Sequence, residues 1–252
     1  MVINIVFGPF ILWSISVYLG HIEPLLPYVS DLGVTPPEAS LFSLMMNFGA
    51  FLLMLFTLIR YESIKTHQLF DVNPNDNIKN SVRKVNNWSL VSGICMSIGF
   101  GIVANFRNAE SPVIQFVHNL GAVLGFLSTV CDMGLQSRAA FNMRDRSTGR
   151  FRCGLCTIAL VLAVAYNALS IWSFLVYPEA LKDKNVRLMW NSSQPGYVPH
   201  VMSTVLEWIL IFMISPYILT FVSLFKRYSI SKPIIVNKDN TIESIKIGDN
   251  QN

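Results

Sequence analysis

Apolar residues gather into six runs of about 20 along the chain, parted by polar stretches, and none alternates as a half-buried strand would. The runs lie near 2–20, 39–59, 87–106, 113–136, 153–177 and 200–225. At 1.5 Å rise per residue, about 20 residues cross the roughly 30 Å hydrocarbon core of a bilayer, and a helix satisfies its own backbone hydrogen bonds there. The pattern predicts an all-α polytopic membrane protein, a six-helix bundle over 1–225 followed by a mobile cytosolic tail over 226–252. The first run has no Lys or Arg before it and no small-residue cleavage site after it, so it reads as a retained span.

Composition strengthens this reading. Of 252 residues, 52% are hydrophobic and 13% charged, against about 25% charged in soluble domains, which excludes a soluble enzyme. Fifteen of the 19 Lys and Arg residues fall in 60–86, 137–152 and 226–252; only Arg107, Lys182, Lys184 and Arg187 lie on the other side. The positive-inside rule therefore predicts cytosolic termini and two cytosolic basic loops. Basic residues at helix ends, without a base-stacking surface, exclude nucleic acid as a partner. Asn191-Ser192-Ser193, a glycosylation sequon, lies in the 178–199 segment that the charge count assigns to the lumen; Asn87-Trp88-Ser89 lies at the cytosolic edge. Cys153 and Cys156 beside the arginines are weak palmitoylation candidates, with buried packing thiols the equal alternative.

Small and polar residues form stripes inside the runs. His118, Gly121, Gly125, Ser128 and Asp132 share one helix face; Gly93, Ser97, Gly101 and Asn105 recur every fourth residue; Cys156, Ala159, Ala163, Asn167 and Ser170 repeat the theme. Such faces let helices approach closely, so bundle packing explains them. An Asp at mid-helix costs about 2.5 to 3.5 kcal/mol on insertion scales, and Asp132 is expected to reach Arg138 or the interface. Glu207 sits seven residues after His200 with Ser203 and Thr204 between, which suggests a wet cleft open to the lumen. The first luminal loop adds His21, Glu23, Asp31 and Glu38, stiffened by Pro24, Pro27, Pro36 and Pro37. For Glu38 helix capping competes with a site role, with Thr35 as a cap candidate; for His21 and Asp31 the bland alternative is a solvated loop. His21, Glu23, Asp31, His118, His200 and Glu207 together form a candidate proton-sensing or cation-binding cluster.

Gly20-His21-Ile22-Glu23-Pro24-Leu25-Leu26-Pro27-Tyr28-Val29-Ser30-Asp31, continued by Thr35-Pro36-Pro37-Glu38 and Asn47-Phe48, resembles the first luminal loop of the damage-regulated autophagy modulator (DRAM) family. Gly101-Ile102-Val103-Ala104-Asn105-Phe106, His118 with Gly121-Ala122, His200-Val201 and Glu207-Trp208 agree in order and spacing. The wider superfamily includes relatives that activate a fibroblast growth factor receptor and others in yeast cell-wall and glycolipid-anchor remodelling. The resemblance implies a six-span protein of lysosomal or other endomembranes that promotes autophagy and, in some contexts, cell death, with the plasma membrane as the other location. It implies no catalytic residue, cofactor or metal. The matching positions add Asn47 and Asn105 to the candidate binding set. The segment Asp71 to Lys84 lengthens the first cytosolic loop relative to vertebrate members.

Two functions follow. The first is a non-enzymatic modulator whose luminal face senses pH, lipid or a partner and whose cytosolic loops contact autophagy or trafficking proteins. The second is a lipid-handling protein, either a regulator of leaflet asymmetry or a metal-dependent head-group hydrolase. The hydrolase needs three ligands in one shell, for which His118, His200 and Glu207 are the right types.

Overall fold

The structure is a computed structural model that describes residues 1–70, 76–108 and 110–227. The tail beyond 227 and residues 71–75 of the first basic loop lie outside the described residues. All regular structure within them is helical. The long helices are α1 (Val2–Tyr18), α2 (Glu38–Phe70), α3 (Asp76–Asn105), α4 (Pro112–Asn142) and α5 (Arg146–Val176); short α6 (Glu179–Lys182) and α7 (Lys184–Leu188) precede α8 (Tyr197–Leu219), and α9 (Val222–Phe225) follows it. A 3-10 helix spans Val29–Gly33. Five helical segments, Glu38–His67, Asp76–Asn105, Pro112–Asn142, Arg146–Val176 and Tyr197–Phe225, are long and apolar enough to cross a membrane; α1 is apolar but has 17 residues.

The helices α4 and α5 begin where side chains can hold their free N–H groups. Ser111 accepts from the Ile114 N–H ahead of Pro112, and Asp145 accepts from the Thr148 N–H. Gly196 opens α8 with φ +70°, and a Cβ there would lie 2.8 Å from the Ser173 carbonyl oxygen. Only 143–145 separates α4 from α5. The basic loop expected at 137–152 is therefore almost wholly helix, and the first basic loop likewise becomes the ends of α2 and α3, from Arg60 and from Asp76. Arg and Lys are good helix formers, so the helices run past the apolar windows.

Neighbouring helices close a ring: α2 packs on α3, α3 on α4, α4 on α5, α5 on α8, and α1 rests on both α8 and α2. The α3–α4 seam is the tightest. A methyl on Gly99 would lie 2.7 Å from the Gly121 carbonyl oxygen and would also meet the Gly125 backbone. The expected α3 face at Gly93, Ser97, Gly101 and Asn105 does not hold together: Gly93 abuts Thr57 of α2, while a Cβ on Gly101 meets nothing within 4 Å. With 3.6 residues per turn, a four-residue spacing drifts about 40° each step, so the last member lies roughly 120° from the first.

At the end bearing the α4–α5 connection, here the basic end, the interior is ionic. Asp132 does not reach Arg138. It is fully buried and accepts from Arg60 Nη1, Ser89 Oγ and the Tyr217 hydroxyl, the last at 2.6 Å. Arg152 is also interior: its Nε donates to Thr220 Oγ1 at 2.8 Å and its guanidinium lies 3.7 Å from the Phe221 ring centroid. Both Arg60 and Arg152, counted among the loop cations, thus enter the bundle; Arg60 compensates the desolvated Asp132, and Arg152 is held by Thr220 and Phe221.

Candidate functional site

The opposite end is capped by three connections, 19–37, 106–111 and 177–196. The first is pinned by indoles that donate to proline carbonyls: Trp13 Nε1 to Pro24 at 3.2 Å and Trp208 Nε1 to Pro27 at 2.9 Å. In the third, Trp190 donates to Pro195 at 3.0 Å and stacks on His200 with ring centroids 4.3 Å apart. A proline lacks an N–H, so its carbonyl is its whole backbone bonding capacity.

The 3-10 helix presents Asp31 to the other two connections. Arg187 Nε lies 3.0 Å from each Asp31 oxygen, and Asn108 Nδ2 donates to Oδ1 at 2.9 Å. Both charges are buried, at 5% and 2% side-chain exposure. Burial works against the Arg187 guanidinium, but the Asp31 carboxylate outweighs it and holds the group above its usual range. Asp31 is therefore not a solvated loop residue. Beside it, Tyr28 lies 2.5 Å from Ser203 Oγ and 3.1 Å from Ser170 Oγ; burial pushes its phenol up, so it stays a neutral hydroxyl.

Glu207 accepts from the Val29 N–H at 2.6 Å, which ties α8 to the 3-10 helix. His200, Ser203, Thr204 and Glu207 are all buried beneath Trp190 and the first connection. The wet cleft expected along this stripe is instead a covered interior, because Tyr28 and Val29 fill the place assigned to solvent.

The remaining candidates distribute as follows. His118 Nδ1 donates to the Phe106 carbonyl at 2.6 Å. His21 Nδ1 lies 2.7 Å from Glu38 Oε1, with His21 30% exposed and Glu38 1%. Glu38 Oε2 is buried without a partner. The Glu23 backbone N–H donates to the Leu188 carbonyl at 2.8 Å, and the Thr35 carbonyl, not its side chain, accepts from the Ala39 N–H. Asn47 and Asn105 exchange hydrogen bonds of 3.1 and 2.9 Å on the exposed surface of α2 and α3, where α3 meets the second connection. Asn191 also lies at the capped end, its Oδ1 accepting from Ser193 Oγ at 2.6 Å. Cys153 is exposed, whereas Cys156 turns its thiol to the Val130 carbonyl.

Beneath the cap, inside the helix ring, is a cavity of about 520 Å³ reached by side chains from all six long helices. Tyr28, Ser30, Asn108 and Arg187 roof it; His118 and Glu207 line its upper wall, and Leu53, Phe100, Phe126 and Ile214 are among its apolar lining. His200 is outside this lining. His118, His200 and Glu207 each hold or face a different neighbour, and among the described residues no three His, Cys, Asp or Glu side chains are grouped to hold a metal ion. Arg187, Tyr28, Asn108 and Ser30, the groups that roof the cavity, were not among the expected site residues.

Residues 1–227 match the Frag1/DRAM/Sfk1/Cwh43P N-terminal domain. The chain is 32% identical over 244 residues to human DNA damage-regulated autophagy modulator protein 1, covering 92% of this chain and 96% of that protein. It is 31% identical over 218 residues to rat DNA damage-regulated autophagy modulator protein 2, covering 85% and 77%. A frog protein named as a modulator of macroautophagy is 27% identical over 166 residues, covering 65% and 64%. No solved structure matches. The chain belongs to the Frag1/DRAM family, and with its apolar helices it is a multi-pass membrane protein.

Proposed function

We propose that this protein is a non-enzymatic modulator of autophagy in lysosomal or related endomembranes. It crosses the bilayer six times, α1 included, with both termini and the basic end in the cytosol and the cap in the lumen. The names of its relatives support the autophagy role and describe modulators, not enzymes. The distribution of Lys and Arg supports the orientation. The observation that carries a sensing role is the cap itself. Asp31 binds three luminal connections into one body, and Glu207 and Glu38 join that body to α8 and α2.

His21 is the partly exposed histidine of the cap, and a protonated imidazole there makes an ion pair with the buried Glu38 carboxylate where a neutral one makes only a hydrogen bond. A fall in luminal pH then tightens the junction between the first connection and α2. The test is autophagic flux, read as turnover of a lipidated autophagosome reporter, in cells lacking the chain and re-expressing wild type or His21→Gln. Wild type restores flux and loses the effect when luminal pH is neutralised, whereas H21Q gives equal flux at both pH values. Flux unchanged by removal of the chain would overturn the function; an H21Q variant that still responds to pH would overturn the sensing step.

A further inference from the structure

The cavity is not sealed on its α4–α5 side. Asn119 and Val123 of α4 and Asn167, Ile171 and Leu175 of α5 line it and are also exposed on the outer surface. Among the described residues the hydrogen bonds between the two helices lie between their middle and the basic end. Ser137 Oγ donates to the Gly149 carbonyl, Arg152 Nη1 to the Gln136 carbonyl and Cys156 Sγ to the Val130 carbonyl. Among the described residues no hydrogen bond joins α4 to α5 on the capped side of that last pair. The gap therefore leads from the cavity sideways, between lipid-facing surfaces that include Phe116, Leu120, Val164 and Ile171.

Polar groups stand in this gap where lipid tails would otherwise touch them. The Gln115 and Asn119 amides make no hydrogen bond in the described structure, and Asn167 uses only its NH₂, donating to the Ala163 carbonyl. Asn119 lies roughly 10 Å, and Asn167 roughly 14 Å, from the capped ends of their helices at 1.5 Å per residue. Amides facing hydrocarbon at that depth carry an unmet desolvation cost, which a ligand with its own donors and acceptors removes.

We propose that the cavity takes one neutral lipid, entering from the leaflet on the capped side through the α4–α5 gap, with its tail among the apolar residues and its head on Gln115, Asn119 and Asn167. The volume of about 520 Å³ is within the roughly 300 to 1,000 Å³ typical of ligand sites. The head bears hydroxyl or amide groups and no phosphate. Arg187 is the one Lys or Arg among the lining residues, and its charge is balanced by the buried Asp31 carboxylate that its Nε faces, so the roof offers a phosphate no net positive charge. The depth of the amides agrees, since a charged head group stays at the membrane surface. The inference rests on the membrane placement, not on the autophagy role, so either can fail alone.

The full chain in nanodiscs, labelled with photoactivatable diacylglycerol or phosphatidylserine of matched tails, tests it. Diacylglycerol is expected to label α4 and α5 peptides at least fivefold more than phosphatidylserine. Asn119→Leu with Asn167→Leu, at exposed positions where folding tolerates apolar residues, is expected to lower that labelling at least fivefold without changing thermal stability. Ala122→Trp, which fills the cavity from α4, gives the same loss. Equal labelling by both lipids, absence of labelling, or labelling unaffected by the amide replacements in folded protein would each overturn the proposal, whatever the result of the flux assay.

Discussion

Asp31 and Arg187 stand 156 positions apart in the chain and meet with Nε 3.0 Å from both carboxylate oxygens. The pair is buried, so its removal as a unit and its disruption from one side have different costs. Asp31→Ala, which leaves the guanidinium uncompensated, is expected to destabilise the protein by about 3 to 5 kcal/mol. Asp31→Leu combined with Arg187→Met is expected to recover most of that loss. Thermal unfolding of wild type, D31L, R187M and the double variant in one detergent completes the cycle, and a double variant no more stable than D31A or D31L would show that the pair is not a coupled unit.

The basic-end interior makes a graded prediction. Asp132→Ala strands Arg60 and is expected to cost about 3 to 5 kcal/mol. Tyr217→Phe removes one hydroxyl from a carboxylate that keeps Arg60 and Ser89, and is expected to cost about 1.5 to 3 kcal/mol. Folded yield and unfolding midpoint read both. A Y217F loss equal to that of D132A would contradict the described bonding.

Two glycines of α3 separate packing from propensity. Gly99→Ala forces the α3 and α4 backbones apart and is expected to cost about 1 to 3 kcal/mol. Gly101→Ala meets open space and gains helix propensity, so stability is expected to rise by about 0.5 to 1 kcal/mol. Opposite shifts in melting temperature are the expected result.

These relationships explain why some of the molecule is legible from sequence and some is not. Apolar runs show directly where helices form, because burial in a bilayer demands long uninterrupted segments. Glu38, Glu207 and His118 stand out in the sequence because a polar group in or beside such a run is costly enough to be conspicuous. Arg187 left no such mark: a charge in a polar connection looks the same whether it is solvated or closes on Asp31. Arg60 was missed by one position, since the expected span ended at 59 and the helix continues to Phe70. Gly99 was overlooked because a strict four-residue spacing selected Gly101, which the helical repeat turns away from α4. The cavity belongs to the ring and not to any one helix, so no stretch of sequence announces it.

Orientation underlies the proposed luminal placement of the cap, the proposed sensing step and the proposed route for lipid. Sealed endomembrane vesicles from cells expressing the chain with different tags at Met1 and Asn252 test it directly, with Asn191 and Asn87 read in the same sample by glycosidase shift. Protease added outside is expected to remove both tags, while a glycan on Asn191, absent in Asn191→Gln, stays protected and Asn87 stays unmodified. One tag protected and the other cleaved would give α1 or another helix the wrong number of crossings; a glycan on Asn87 with none on Asn191 would invert the whole account.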